Sequence, residues 1–299
     1  MKVEKKSLLP FLLVITGLLL PTGCLAGSLR LLVPAYATPC CGGGPAMWSQ
    51  LTDTALVMGS DLYVILNPNS GPGIGEIDPN YINDLGQGPL LDFRNAGGFV
   101  IGYVATGYAS RSLDDVQSEI DLYFDPGYWR GAGVQVQGIF FDEVSNDLAN
   151  VGYYNTLRDH VRSHDSEARV VGNPGTSFVN NPSGQSTWDA SDYAESADVL
   201  VTYEFDAGSY ISSYSPPSWR DDFPAERFGH IVYDASASQM ADIMSLAIKR
   251  KAGYVYVTDD VLNNPYDMIP SYWTEQVEAA LGLVFADGFE SGDTTCWSP

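Results

Sequence analysis

A single closed (β/α)8 barrel is the fold this sequence predicts. Short β-rich runs alternate with helical stretches along the chain, and eight such runs favour a parallel closed sheet over an open one. Polar, aromatic and acidic residues gather where the apolar runs end. The 299 residues, 45% of them hydrophobic, suffice for one large core. The first three runs, 29–36, 62–67 and 99–104, lead to a helical stretch at 112–124. The fourth run, 134–142, precedes a helix at 151–164. The fifth, 169–173, is joined to the sixth, 199–204, by a segment with weak helical marking, read as mostly loop over 183–197. Runs at 230–233 and 254–258 complete the eight, with helices at 238–251 and 272–281.

The remaining segments lie outside the barrel domain, which is expected over 27–284. Residues 1–26 resemble an export signal: Lys2, Lys5 and Lys6 precede an apolar run at 8–20, too short to span a bilayer comfortably. Ordinary cleavage after Ala26 is favoured, which places the protein outside the cytoplasm, secreted, periplasmic or at the cell surface. A lipid anchor at Cys24 is the alternative, and Pro21 within that motif counts against it. Cleavage leaves Cys40, Cys41 and Cys296; adjacent cysteines rarely bridge each other without strain, and one of the pair could meet Cys296 and staple the tail to the barrel. Residues 285–299 form a polar tail suited to sorting or anchoring.

Charge narrows the partners. A net −22 from 37 acids and 15 bases excludes nucleic acid, which needs basic surface. The same field attracts a cationic polymer such as a polysaccharide with free amino groups. The glycines at 71, 73 and 75 lack the lysine of a phosphate loop. His160 and His164 have zinc-ligand spacing, but no H-E-x-x-H motif surrounds them, and they read as an exposed helix face. No metal or organic cofactor is expected, and the chain is expected to be a monomer.

The strongest chemical signal is G-I-F-F-D-E at Gly138, an apolar strand ending in Asp142 and Glu143. A second strand, V-L-V-T-Y-E-F, ends in Glu204. Acids ending buried strands sit where the strand opens into a site, since burying an unpaired carboxylate is costly. Carboxylates from different strands are what glycoside hydrolysis requires. Adjacent strand residues point to opposite sides, so either the strand ends between Asp142 and Glu143 or one of them stands behind the other. Asp142 and Glu204 are the expected reacting pair, with Glu143 orienting a substrate group or serving as the acid. Tyr36, Tyr103, Tyr108 and Tyr203 could stack on sugar faces. Tyr233, Asp259, Asn67 and Asn173 stand on the same rim, and Arg111 could hold an acid.

Six motifs then occur in order: V-P-A-Y at Val33, N-P-N-S-G-P-G at Asn67, G-Y-V-A-T-G-Y-A-S-R at Gly102, G-I-F-F-D-E, V-G-N-P-G-T at Val171 and T-Y-E-F at Thr202. Over roughly 31–281 the series resembles the spherulin-4 family of secreted (β/α)8 proteins. The resemblance implies an endo-acting glycosidase of galactosaminogalactan, an α-1,4-linked polymer of galactose and N-acetylgalactosamine. It further implies that Asp142, Glu143 and Glu204 are the important acids. The Cys40–Gly44 insert and the tail depart from the family pattern and bear on the groove and the polymer. A carbohydrate-binding protein without catalysis is the competing reading.

Overall fold

The computed structural model describes residues 29–282 except 74, 84, 181–184 and 188. The expected signal segment, Cys24, the tail and Cys296 lie outside the described residues. Eight parallel strands close into a barrel: β1 (Arg30–Ala35), β2 (Leu62–Leu66), β3 (Phe99–Ala105), β4 (Gly138–Asp142), β5 (Arg169–Gly172), β8 (Val199–Asp206), β9 (Phe228–Tyr233) and β10 (Tyr254–Val257). The ring closes where β1 pairs with β10, Leu31 opposite Val255. Both faces of each strand are covered, which is why runs such as Leu62–Leu66 are apolar throughout and entirely buried.

The helices supply the outer layer, and each buries one stripe. Residues Met47, Trp48, Leu51, Ala55 and Met58 face inward from α1 (Gly44–Met58), with α2 (Pro89–Asn95) packed beside it. Val116, Ile120 and Tyr123 do so from α3 (Leu113–Phe124), whose start is capped by Ser112 accepting from Asp115 N. Tyr154, Leu157 and Val161 face inward from α4 (Val151–His164), and Met240, Ile243, Met244 and Ala247 from α7 (Ala237–Lys249). The final helix, α8 (Trp273–Ala280), returns to β1 through Leu29 N donating to Ala280 O.

Three expectations are corrected. The fourth strand begins at Gly138 rather than at 134, because Gln137 bonds Val100 through both its backbone and its side chain and ends the irregular approach. The segment between the fifth and sixth barrel strands carries more regular structure than expected. It holds a small antiparallel pair, β6 (Val179–Asn180) and β7 (Ser186–Thr187), then a short helix, α5 (Ser191–Ser196). Cys40 and Cys41 form a disulfide with each other, so neither is available to staple the tail.

One residue shows how tightly strand and helix meet. Gly102 in β3 faces Tyr123 of α3, and a Cβ there would come within 2.6 Å of the ring. The ring cannot retreat, since its hydroxyl reaches the carbonyls of Tyr103 and Leu66. We expect Gly102→Ala to lower unfolding free energy by about 1–3 kcal/mol, the usual cost of overpacking, in a urea titration of the isolated protein.

Candidate active site

The carboxylates meet at the C-terminal ends of the strands. Asp142 is the last residue of β4, and the strand ends directly after it: Glu143 has φ +52°, a left-handed conformation that few side chains adopt. Thr106 fixes that kink. Its buried hydroxyl reaches the carbonyls of both Asp142 (2.9 Å) and Glu143 (2.7 Å), while Tyr108 N donates to Glu143 O at 2.7 Å. Tyr154 backs the arrangement, accepting from Ser145 N and meeting Thr106 Oγ1 at 3.1 Å. Of the two solutions open to adjacent acids, the chain takes the first, and the strand stops between them. Tyr108, Ala109, Glu143 and Asp234 all hold positive φ at this one end of the barrel, and backbone strain of this kind collects at functional sites.

Glu204 reaches the same point by a different device. Pairing between β8 and β9 shifts register between Val201 and Tyr203, leaving Thr202 as the extra residue of a bulge. Val201 faces the barrel axis beside Leu32 and Gly229. Strict alternation would turn Glu204 outward. The extra residue reverses the parity, so Tyr203 packs outward on Tyr210 of α6 (Ala207–Ser212), Tyr214 and His230, and Glu204 points in.

Asn173, just past β5, ties the acids together. Its Nδ2 donates to Asp142 Oδ1 at 2.8 Å and to Glu204 Oε2 at 2.6 Å, while its Oδ1 accepts from Gly175 N. Gly175 suits glycine because its φ is +65°, a left-handed conformation that side chains rarely adopt. Tyr103 donates to Asp142 Oδ2 at 2.8 Å and Tyr266 to Glu204 Oε1 at 2.5 Å. Tyr36 wedges between these phenols, edge-on to both rings. Burial, reinforced by the nearby acids, raises the pKa values of Tyr36, Tyr103 and Tyr266, so all three remain proton donors. Burial raises the Glu204 pKa from its ordinary value, and the Asp142 charge adds to this against the opposing bonds from Tyr266 and Asn173.

The other expected residues divide. Tyr108 is exposed on the rim near Glu143, and Tyr233 stands at the end of β9, edge-on to exposed Phe205. A cleft of about 390 Å³ opens beside Glu204, lined by Gly175, Thr176, Tyr203, Phe205 and Tyr214. Tyr203 lines it, although its hydroxyl is committed to Asp206 O. Arg111 does not join the acids. It forms a two-point ion pair with Glu119 and donates to Ala105 O, bracing the segment between β3 and α3. Asn67 closes a turn by accepting from Gly71 N. Asp259 accepts from Ser271 N and Oγ, pinning the base of the 258–272 loop. Tyr266, on that loop, was not among the expected residues. Its only sequence signal is an aromatic following N-P in the segment after the last strand, on the functional face.

The chain matches the family model for spherulation-specific family 4 over residues 30–280. It is 28% identical over 267 residues to Spherulin-4 of Physarum polycephalum, covering 85% of this chain and 71% of that protein. The crystal structure of Sph3 from Aspergillus clavatus in complex with GalNAc superposes with a TM-score of 0.68 at 23% identity, covering 85% of this chain and 98% of that one. An endo-β-N-acetylglucosaminidase from Cordyceps militaris shares the fold at TM-score 0.54 and 9% identity, covering 85% and 90%.

Three stability outcomes follow from this geometry. Thr106→Val removes the hydroxyl that reaches the carbonyls of Asp142 and Glu143, each of which keeps a backbone N–H, and should cost about 0.5–1.5 kcal/mol, whereas Thr202→Val removes a buried hydroxyl without a partner among the described residues and should be neutral or stabilising. Because the folded pKa of Glu204 lies above its unfolded value, the folded state binds this proton more tightly, and the contribution declines as pH rises from the unfolded to the folded pKa. Glu204→Gln should therefore stabilise the protein at neutral pH, with a smaller gain at pH 4, in paired denaturant titrations.

Proposed function

Because the chain belongs to the spherulation-specific family 4, we propose that it is a glycoside hydrolase that cuts within an amino-sugar-containing polysaccharide, of the α-1,4-linked galactosaminogalactan type. The observation that carries this reading is the Asn173 bridge. Two oxygens 2.8 and 2.6 Å from one nitrogen can be no farther apart than the two bonds laid end to end. That limit lies below the roughly 6.5–9.5 Å gap of inverting glycosidases and suits the closer carboxylates, roughly 5–5.5 Å apart, of retaining ones.

Roles follow from the surroundings of each acid. Glu204, whose neutral form is favoured by burial, protonates the leaving glycosidic oxygen. Asp142 holds two donated hydrogen bonds that stabilise its charge, which suits attack on the anomeric carbon. Water then enters, Glu204 takes its proton, and the covalent bond to Asp142 breaks. For a residue carrying an acetamide, its carbonyl oxygen can replace Asp142 as nucleophile, with Asp142 holding the acetamide N–H. Glu143, at the mouth, meets a hydroxyl or ammonium of the sugar. Tyr108 and Phe205 offer exposed aromatic surface on either side. The GalNAc bound by Sph3 supports an N-acetylhexosamine subsite here. The net charge suits a polymer bearing free amines, and the export-like N-terminus suits an extracellular substrate.

The test is release of oligosaccharides from partly deacetylated galactosaminogalactan. Wild type should produce them, and Asp142→Asn and Glu204→Gln should each lose about 10²–10⁴-fold in rate, the scale of general acid–base catalysis. Tyr266→Phe should retain the fold and lose less, since it removes one donor to Glu204. Binding of the polymer without cleavage by wild type would overturn the enzymatic reading in favour of a lectin-like role.

A further inference from the structure

A second cluster of chemically competent side chains lies at the opposite end of the barrel. Helices in this architecture run against the strands, so the C-terminal turns of α3 and α4 lie at the face away from the carboxylates. Asp121 sits in the last turns of α3, and His160 and His164 sit in the last turns of α4. Both Nε2 atoms face the same oxygen, at 2.6 Å from His160 and 2.7 Å from His164 to Asp121 Oδ1. One ligand atom from each of the three lies within 4.8 Å of the other two.

We propose that Asp121, His160 and His164 form a divalent transition-metal site, best suited to zinc, that clamps α3 to α4. Histidines four apart on one helix present both imidazoles to one side, and the adjacent helix supplies a carboxylate, giving the two-nitrogen, one-oxygen set that zinc accepts. The ligands are already oriented. His164 lies flat against Phe124, with centroids 5.1 Å apart and 7° between planes, and His160 meets His164 edge-on at 5.2 Å. Ligand atoms about 2.0–2.2 Å from a tetrahedral ion stand roughly 3.3–3.5 Å apart, so each Nε2–Oδ1 pair opens by well over half an ångström to admit it. Asp121, half exposed, has room to move. The carbonyl ends of two helices converge here, and their partial negative charge favours a cation. Zinc takes the Nε2 lone pair of each neutral ring, whose single N–H is then carried on Nδ1. Solvent completes the coordination sphere. The role is structural, because the site stands across the barrel from Asp142 and Glu204.

The remaining histidine of the three in the sequence, His230, is fully buried and bonds Tyr210 through Nδ1. Histidine-dependent metal binding by tag-free protein therefore reports on this cluster. Calorimetric titration of chelator-treated protein with zinc chloride should show one equivalent bound per chain. Affinity should fall at least about tenfold in His160→Gln, His164→Gln and Asp121→Asn, and remain unchanged in Glu204→Gln. Zinc should raise the thermal midpoint of wild type and leave those of the three cluster variants in place, each compared with its own metal-free midpoint. Equal binding by wild type and the histidine variants, or no stoichiometric binding by wild type, would overturn the assignment.

Discussion

One amide nitrogen holds the candidate active site together. Asn173 Nδ2 has two hydrogens, and both are given to carboxylates that would otherwise repel each other in a setting that water screens poorly. Everything around it serves that geometry. The turn after β5 aims the amide, the stop after Asp142 lets β4 deliver one acid, and the bulge in β8 delivers the other. Tyr103 and Tyr266 then occupy the outer oxygens, one on each acid. Raising the Glu204 pKa requires burial beside another negative charge, and only a site this fully hydrogen-bonded tolerates that arrangement.

Much of this was legible in the chain because parallel strands covered on both faces must be apolar throughout. An acid at the end of such a run is conspicuous, and Asp142 and Glu204 were found that way. Asn173 was visible as a rim residue, but its N-P-G setting read equally well as a turn, and it proves to be both. Other features left no comparable trace. A bulge is a fact about the neighbouring strand's register, and Thr202 is as acceptable in an unbroken strand as at a bulge. Tyr266 belongs to a loop whose path is set by contacts such as Asp259 with Ser271, not by a local period. Arg111 illustrates the converse: it follows a barrel strand at the functional end, yet Glu119 of α3 claims both arms of its guanidinium.

The two ends of the barrel divide labour. At the strand C-termini, positive-φ residues, a half-exposed acid and exposed aromatics give a surface built to meet a ligand. At the other end, the facing turns of α3 and α4 carry Asp121 and the two histidines, set among helix packing rather than strained loops. The disulfide between Cys40 and Cys41 belongs to the first end. It stiffens the segment before α1, whose Gly43 packs so closely on Asp267 and Met268 that no side chain fits between them. That contact adjoins Tyr266, so the segment before the first helix helps to shape the wall beside Glu204.

The bulge has a further meaning for how this strand can be inherited or borrowed. Between the anchor points where β8 meets β9, it is one residue longer than its neighbour, and that surplus alone determines which of two consecutive side chains, the phenol or the carboxylate, faces the axis. Which side chain enters the candidate site is thus written partly in chain length. A strand transplanted into another barrel with every side chain intact but with that surplus trimmed would present a tyrosine where the acid belongs, and an alignment scored on residue identity would record the loss as a single gap.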